Sequence, residues 1–121
     1  MLSPDETACK TAAEKGLRVI VAKPNELFID IDDEVSTIRF ALGWPIVAEM
    51  FPGAKHATLP SPSGKPGHLH VTVTLPQNVE EMTAVALQAI LGSDPKREAL
   101  TVQRLFEGQS NARLFFEKEI F

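Results

Sequence analysis

The sequence predicts an α+β domain in which helices cover one face of an antiparallel sheet. Residues 27–33 (LFIDIDD) and 68–75 (HLHVTVTL) alternate between apolar and polar side chains, which is the pattern of half-buried strands. The segments that follow them, 33–51 and 78–91, repeat apolar residues at spacings of three and four, as helices do. A chain of 121 residues is long enough to form one domain with its own core.

Shorter elements complete the predicted order. We expect a helix in residues 4–15, strands at 17–22, 55–59 and 112–117, and a helix that begins at Asp94-Pro95 and ends at Phe106 or Glu107. Residues 1–26 are then an N-terminal extension, and residues 27–121 form a core with the order β-α-β-β-α-α-β. Without its extra helix this is the split βαβ pattern of ferredoxin-like and RNA-recognition-like folds, in which the first and third strands are adjacent and antiparallel.

The predicted helices carry apolar residues that we expect to face the core. They are Val35, Ile38, Leu42, Ile46 and Met50 in the first, Met82, Val85, Ala86, Ala89 and Ile90 in the second, and Leu100 and Leu105 in the third. Gly43 and Pro45 interrupt the first helix, which predicts a kink or two short helices. Asn78 is the expected N-cap of the second helix, and Gly92 stands where a helix-ending glycine belongs.

Composition and cysteine content indicate a folded protein of a reducing compartment. Apolar residues make up 44% of the chain and charged residues 23%, as in folded globular proteins. Cys9 is the single cysteine, so no internal disulfide can form and a reducing compartment is expected. No apolar run reaches the roughly 20 residues of a membrane span, and the first residues lack the features of a secretory signal. We therefore expect a cytoplasmic protein without membrane contact.

The net charge of −4 argues against a broad basic surface that binds duplex nucleic acid. A small nucleotide pocket is compatible with this charge, because a metal ion and a few basic side chains can supply the positive charge that phosphates need. Composition excludes one class of nucleic-acid-binding protein but selects no function.

The two alternating strands place four polar side chains on one face of the predicted sheet. Asp30 and Asp32 share a face of the first strand, and His68 and His70 share a face of the other. Antiparallel pairing brings the end of the acidic strand beside the start of the histidine strand. We therefore predict that the four side chains form one site on the sheet face opposite the helices.

The aspartates predict a cation site. Carboxylates on one face of a strand repel each other unless a cation lies between them, and Mg²⁺ or Mn²⁺ is the usual ion where phosphates complete the coordination. Helix capping is the alternative for Asp32 or Asp33, but it leaves Asp30, in mid-strand, unexplained. Asp94 is a candidate third carboxylate, although an Asp directly before a Pro is more typical of a helix N-cap.

Two histidines and one loop are candidates for phosphate binding. His68 and His70 could bind metal, contact phosphate or act as a general acid–base pair, whereas histidines are also ordinary on an exposed sheet face. The loop 61–67 (SPSGKPG) offers Lys65 and backbone N–H groups to a phosphate. It is not a P-loop, and a plain hairpin connection explains it equally well.

Three short segments resemble the motifs of the archaeo-eukaryotic primase and primase–polymerase superfamily. They are LFIDIDD at 27–33, SPSGKPGHLHVTV at 61–73 and GSDP at 92–95. The resemblance implies that Asp30 and Asp32 hold a divalent metal and that Asp94 completes the metal site. It also implies that Ser63 and His70 contact the phosphates of a nucleotide, on an RNA-recognition-like sheet.

The overall pattern also looks like that of small bacteriophage proteins, which implies the cytoplasm of a host. The expected function is metal-dependent binding of a nucleotide or phosphodiester, with nucleotidyl transfer as the reaction that the resemblance implies. Asp30, Asp32 and His70 would then be catalytic, and Lys65 and His68 would help to bind the nucleotide. Single-stranded nucleic acid and a host protein are candidate partners, and the polar sheet face could also be the interface of a homodimer. The sequence leaves open whether the chain is an enzyme.

Two other functions fit parts of the sequence. His56-Ala-Thr-Leu59 and His70-Val-Thr-Val73 are similar to the His-x-Thr-x motifs of two-histidine phosphoesterases. In that family one histidine acts as acid and the other as base on a phosphodiester, without a metal. The second alternative is a non-catalytic protein whose polar sheet face binds a host protein or a nucleotide.

Overall fold

The computed structural model describes residues 14, 17–62, 65–108 and 113–118. Their elements, in chain order, are β1 (Leu17–Val21), β2 (Glu26–Ile31), α1 (Glu34–Met50), β3 (Lys55–Pro60), β4 (Leu69–Thr74), α2 (Glu81–Ile90), α3 (Pro95–Phe106) and β5 (Leu114–Lys118). The predicted α+β class, with an antiparallel sheet and helices, is confirmed. The predicted N-terminal helix and Cys9 lie outside the described residues, except that Glu14 is helical.

The larger sheet has the strand order β2-β4-β3, and all its pairs are antiparallel. The first and third strands of the predicted core are therefore adjacent, as a split βαβ arrangement requires. Asp30 pairs with His70, and Ile31 pairs with Leu69. On the other side of β4, Leu59 pairs with His70. This register fixes which side chains share a face, because paired residues of antiparallel strands point the same way.

The last strand departs from the usual split βαβ arrangement, which would place it beside β2. β5 instead pairs with β1 in a separate two-stranded antiparallel sheet. The strand of the predicted N-terminal extension thus pairs with the C-terminal strand of the predicted core. One edge of β2 is left for other groups to satisfy.

Polar side chains take the place of a fourth strand along that edge of β2. The Phe28 N–H donates to Gln88 Oε1 at 2.9 Å, and Arg97 Nη1 donates to the Phe28 carbonyl at 2.8 Å. Arg113 donates to the Glu26 carbonyl. Gln88 is fully buried and Arg113 is 1% exposed, so these bonds satisfy backbone groups that water does not reach.

The core lies between the apolar face of the sheet and the helices. Its buried members are Leu27, Ile29, Ile31, Val47, Val71, Val73, Leu75, Ala84, Leu87 and Leu91. The predicted alternation of β2 and β4 is confirmed on the core side, because Leu27, Ile29 and Ile31 of β2 and Val71 and Val73 of β4 are all in this core.

Gly43 lets α1 approach α2 closely, because a Cβ at that position would lie 2.5 Å from the Ile90 carbonyl oxygen.

The predicted core-facing side of α1 is wrong. All five predicted residues are more than half exposed, namely Val35, Ile38, Leu42, Ile46 and Met50. The buried side instead carries Ser36, Gly43 and Val47, and the aromatic rings of Phe40 and Trp44 pack partly buried against the core. The small residues on the buried side let the helix pack closely against its neighbours. A prediction based on regularly spaced large apolar residues does not identify such a side. The helix also runs unbroken through Gly43 and Pro45, so the alternative of two short helices is wrong.

The predictions for the other two helices were wrong in part. In α2 only Val85 of the predicted set is buried, together with Ala84, Leu87 and Gln88, and the N-cap is Glu80 rather than Asn78. In α3 Leu100 is exposed and Leu105 is half-buried, while the buried residues are Glu98 and Thr101. Glu98 is buried together with a polar partner, because Gln88 Nε2 donates to both of its carboxylate oxygens at 2.6 and 2.9 Å.

The predicted boundaries of α3 are confirmed. Asp94 is its N-cap, Pro95 is its first residue, and the helix ends at Phe106 before Gly108. Gly92 ends the preceding segment with a φ of +83°, and a Cβ there would lie 2.8 Å from the Ser36 carbonyl oxygen. This position therefore requires glycine for both its backbone conformation and its contact with α1. Within the described ranges, no helix combines the length and the apolar character needed to span a membrane.

Candidate metal centre

Four predicted side chains meet on the sheet face opposite the core. His70 Nε2 lies 3.8 Å from Asp30 Oδ1, and His68 Nδ1 lies 3.5 Å from Asp32 Oδ1. The first pair follows from the β2–β4 register, and the second continues it one step beyond the strand ends. The structure thus brings together the four side chains that strand alternation predicts.

The face is more sheltered than an open polar surface. The side chain of His70 is 10% exposed and that of Asp30 is 23% exposed. Phe28, which shares their face by alternation, is 1% exposed. Asp32 and His68 lie nearer the solvent, with side-chain exposures of 37% and 26%. Solvent exposure therefore increases across the site, from a buried end at Asp30 to a more accessible end at Asp32.

Asp94 brings a third carboxylate to this site. The Asp30 N–H donates to Ser93 Oγ at 3.1 Å, and the Asp94 N–H donates to the Asp30 carbonyl at 3.2 Å. These two bonds fix the chain between α2 and α3 against the edge of β2. One carboxylate oxygen each from Asp30, Asp32 and Asp94 lies within 4.8 Å of the other two. Such a spacing lets three oxygens converge on one small cation.

Asp94 is also the N-cap of α3, as the Asp-Pro pattern predicts. Its Oδ1 accepts a hydrogen bond from the Lys96 N–H at 3.1 Å. A carboxylate has two oxygens and several lone pairs, so capping the helix and binding a cation are compatible. The two interpretations of Asp94 are therefore not alternatives.

Neighbouring Asp32 and Asp33 have different roles. Asp33 is the N-cap of α1, and its Oδ1 accepts from the Ser36 N–H at 2.8 Å. Hydrogen bonds from Ser36 lower the pKa of Asp33. The pKa of Asp32 is raised, first by burial and then by repulsion from Asp30 and Asp94, which nearby His68 partly offsets. Helix capping is thus assigned to Asp33, and Asp32 carries the repulsion that a cation would relieve.

Arg97 places a guanidinium beside Ser93, with 18% of its side chain exposed. Arg97 Nη1 donates to Ser93 Oγ at 3.2 Å, as well as to the Phe28 carbonyl, and it lies 3.5 Å from Glu98 Oε1. Burial lowers the pKa of Arg97, and the charges of Glu98, Asp30 and Asp94 oppose that shift. Arg97 therefore joins α3 to β2 while balancing part of the negative charge of the site.

Sequence reasoning missed Ser93 and Arg97 as parts of the site. Neither belongs to a periodic pattern. Both residues lie close to Asp94 in the sequence, Ser93 one residue before it and Arg97 three residues after it. This proximity indicates a shared site only once the fold is known, because the fold places the start of α3 against β2.

The predicted phosphate-binding loop is described in part. Ser63 lies outside the described residues. Lys65 is exposed, and its carbonyl accepts from the His68 N–H at 3.2 Å, which places Lys65 beside the end of β4 that carries the site. The Ser61 N–H donates to the His68 carbonyl at 2.9 Å, so the loop closes as a hairpin connection.

His56 does not join His70. It pairs with Val73, whose side chain is in the core, and its ring contacts Trp44 with a centroid distance of 4.6 Å. His70 lies on the other face, beside Asp30. His56 and His70 therefore do not form the acid–base pair that a two-histidine phosphoesterase needs.

Comparison of the chain with models of known protein families, with curated protein sequences and with solved structures found no significant match. What the site can do follows from its donor set, which is three carboxylates and two imidazoles. Carboxylate oxygens suit hard ions such as Mg²⁺ and Mn²⁺, and imidazoles can also contact phosphate.

Proposed function

We propose that the chain binds Mg²⁺ or Mn²⁺ through Asp30, Asp32 and Asp94 and uses the ion to bind the phosphates of a nucleotide or phosphodiester. The observation that carries this proposal is the convergence of three carboxylate oxygens within 4.8 Å, from two separate segments of the chain. Proteins commonly hold Mg²⁺ with a few carboxylates and let substrate phosphates complete its coordination. Burial, and after it repulsion from Asp30 and Asp94, raises the pKa of Asp32, and a cation would offset that repulsion.

The histidines supply the second part of the proposed site. His70 is held against Asp30 at the buried end, and His68 lies beside Asp32 at the exposed end. A phosphate bound to the metal would meet both imidazoles on the same sheet face. Lys65, in the loop before β4, and by resemblance Ser63 would complete the phosphate contacts.

Nucleotidyl transfer is the reaction that we infer for this site, by resemblance to a minimal primase–polymerase core. The metal would polarise the transferred phosphate, and Asp30 and Asp32 would hold the metal in place. By the resemblance His70 contacts the phosphate, and its pairing with Asp30 puts it next to the proposed metal. A nucleotide or single-stranded nucleic acid would be the substrate, in the cytoplasm of a phage host.

A titration with Mn²⁺ alone, in which calorimetry measures the heat of binding, tests the metal site. We expect wild-type protein to bind the ion and the Asp30→Asn variant to lose at least about tenfold in affinity, because the variant removes one charged ligand. Glu80→Gln is the matched control, since Glu80 is exposed at the start of α2 and its side chain forms no capping bond. Absence of binding to wild-type protein with an intact fold would refute the metal site.

A second titration separates binding from catalysis. A nucleoside triphosphate should bind wild-type protein only when Mn²⁺ is present. Addition of the nucleotide to a primer annealed to a single-stranded template would then establish nucleotidyl transfer. Metal-dependent binding without turnover would instead favour the non-catalytic nucleotide-binding role.

A further inference from the structure

An exposed row of large apolar side chains runs along α1. It consists of Val35, Ile38, Leu42, Ile46 and Met50, which we call the apolar stripe. Their exposures lie between 52 and 70%. Spacings of three and four residues place all five on one side of the helix. The opposite side of α1 packs on the core through Val47, so the stripe faces outward.

The stripe extends onto α2. Gly43 of α1 lies against the Ile90 carbonyl, and the Ile90 side chain is 45% exposed. The exposed apolar surface is therefore on the order of 500 Å² per copy, at the upper end of what single-chain proteins leave uncovered. Two such surfaces in contact would bury about 1,000 Å², the least that a specific interface between proteins usually buries.

The order of the side chains in the stripe is nearly the same in both directions. Leu42 stands at its centre, Ile38 and Ile46 lie four residues to either side, and Val35 and Met50 lie at the ends. In an antiparallel twofold pairing centred on Leu42, every position of the stripe therefore meets an apolar residue of the second copy. The stripe is thus complementary to a second copy of itself.

The charges around the stripe do not fit a lipid surface. Glu34, Arg39 and Glu49 are its exposed charged neighbours on α1. Helices that lie on anionic membranes are rich in Lys and Arg on their polar side. With one basic residue against two acidic ones, α1 favours a protein surface over an anionic lipid one.

We propose that two copies of the chain pair through the apolar stripe as antiparallel α1 helices, with the twofold axis at Leu42. Leu42 then contacts its own counterpart, and Ile38 contacts Ile46 of the second copy. The helices cover the sheet face opposite Asp30 and His70, so the metal centre of each copy faces away from the interface. The dimer is thus independent of the proposed metal-dependent function.

Sedimentation equilibrium over a range of protein concentrations tests the dimer. We expect wild-type protein to be dimeric and Leu42→Glu to raise the dissociation constant by about 100-fold or more, because the variant buries an unpaired charge at the centre of the interface. Phe106→Glu is the matched control, since Phe106 is 81% exposed on α3 and should leave the dimer unchanged. Leu42 is 70% exposed, so Leu42→Glu should fold, and circular dichroism checks this.

Cross-linking with a short bis-maleimide tests the orientation, in a Cys9→Ala background. Leu42→Cys should cross-link to itself. Ile38→Cys should cross-link when mixed with Ile46→Cys, and neither should cross-link alone. Gln103→Cys, exposed on α3, is the control.

Three results would overturn the proposal. Wild-type protein that stays monomeric at high concentration has no such interface, and binding of the monomer to lipid vesicles would assign the stripe to a membrane. A dimer that survives Leu42→Glu must use another surface. Self-cross-linking of Ile38→Cys would show parallel helices.

Discussion

β2 and α1 are separated by two residues, yet their sequences determine their buried sides to very different degrees. In β2, alternation assigns each side chain to one of two faces, and the aspartates identify the face away from the core. In α1, apolar residues occur on both sides of the helix. The side with the larger aliphatic residues is exposed, and the side with Ser36, Gly43 and Val47 is buried. Apolar character identifies the buried side only where the other side is polar.

The buried side of α1 is selected by fit. At Gly43 the helix approaches the Ile90 carbonyl so closely that no side chain would fit between them. A larger residue at this position would force the two helices apart. The exposed aliphatic side has no such constraint, and in the proposed dimer it forms an interface between copies.

The largest effect of a substitution is expected at the edge of β2. Arg113 is 1% exposed, and its Nε and Nη2 donate to the two Glu81 carboxylate oxygens at 2.8 and 2.9 Å. Arg113→Ala should lower the free energy of unfolding by about 2–4 kcal/mol, because it empties a buried site and leaves the Glu26 carbonyl without its donor, whereas Glu81, which is 37% exposed, regains water. Urea denaturation measures the loss. Lys96→Ala, at an exposed position of α3, is the control, and equal stability of the two variants would show that polar side chains do not hold this edge.

The polar groups at this edge mark the limit of what the sequence predicts. Gln88, Arg97 and Arg113 come from distant parts of the chain and belong to no periodic pattern. They meet because β5 pairs with β1, so that no strand of the described residues pairs with this edge of β2. Strand order is a property of the whole fold, so no local pattern could identify these residues.

The candidate site was more predictable than the core. Asp30, Asp32, His68 and His70 lie on two strands whose pairing follows from the split βαβ order, so alternation alone places them on one face. Asp94 could be named from its Asp-Pro sequence, although that sequence indicates only a helix cap. Its position beside Asp30 depends on a backbone hydrogen bond to β2 that no local sequence pattern predicts.

An intermediate effect is expected from two substitutions on opposite sides of α1. Val47 is fully buried in the core, so Val47→Ala should cost about 2 kcal/mol through lost burial and a residual cavity. Leu42→Ala should cost less than about 0.5 kcal/mol at a protein concentration low enough to keep the chain monomeric. Chemical denaturation of both variants measures the difference. A larger loss for Leu42→Ala would reverse the assignment of the buried side.

Effects smaller than that of Val47→Ala are expected where β2 meets α1, at Asp32 and Asp33. The ordinary pKa of each carboxyl is 3.8, and the fold raises that of Asp32 and lowers that of Asp33. A raised pKa means that the folded chain binds the proton more tightly, so ionised Asp32 destabilises the fold above the raised pKa, and the penalty disappears as the pH falls below 3.8. The lowered pKa of Asp33 has the opposite consequence, because its stabilising effect is present above 3.8 and is lost as the pH falls through the lowered value.

Substitutions at these two carboxyls should therefore change stability in opposite directions. Asp32→Asn should stabilise the metal-free protein at neutral pH by less than about 1 kcal/mol, because solvent screens a side chain that is 37% exposed. Asp33→Ala should destabilise it through the lost cap of α1. Unfolding midpoints measured from pH 3 to 8 with a chelator present test both. Mn²⁺ should then raise the midpoint of wild-type protein and of Asp33→Ala by similar amounts, and that of Asp32→Asn by clearly less at the same concentration. An undiminished metal response in Asp32→Asn would remove Asp32 from the metal centre, because the ion would then have no need of that carboxylate.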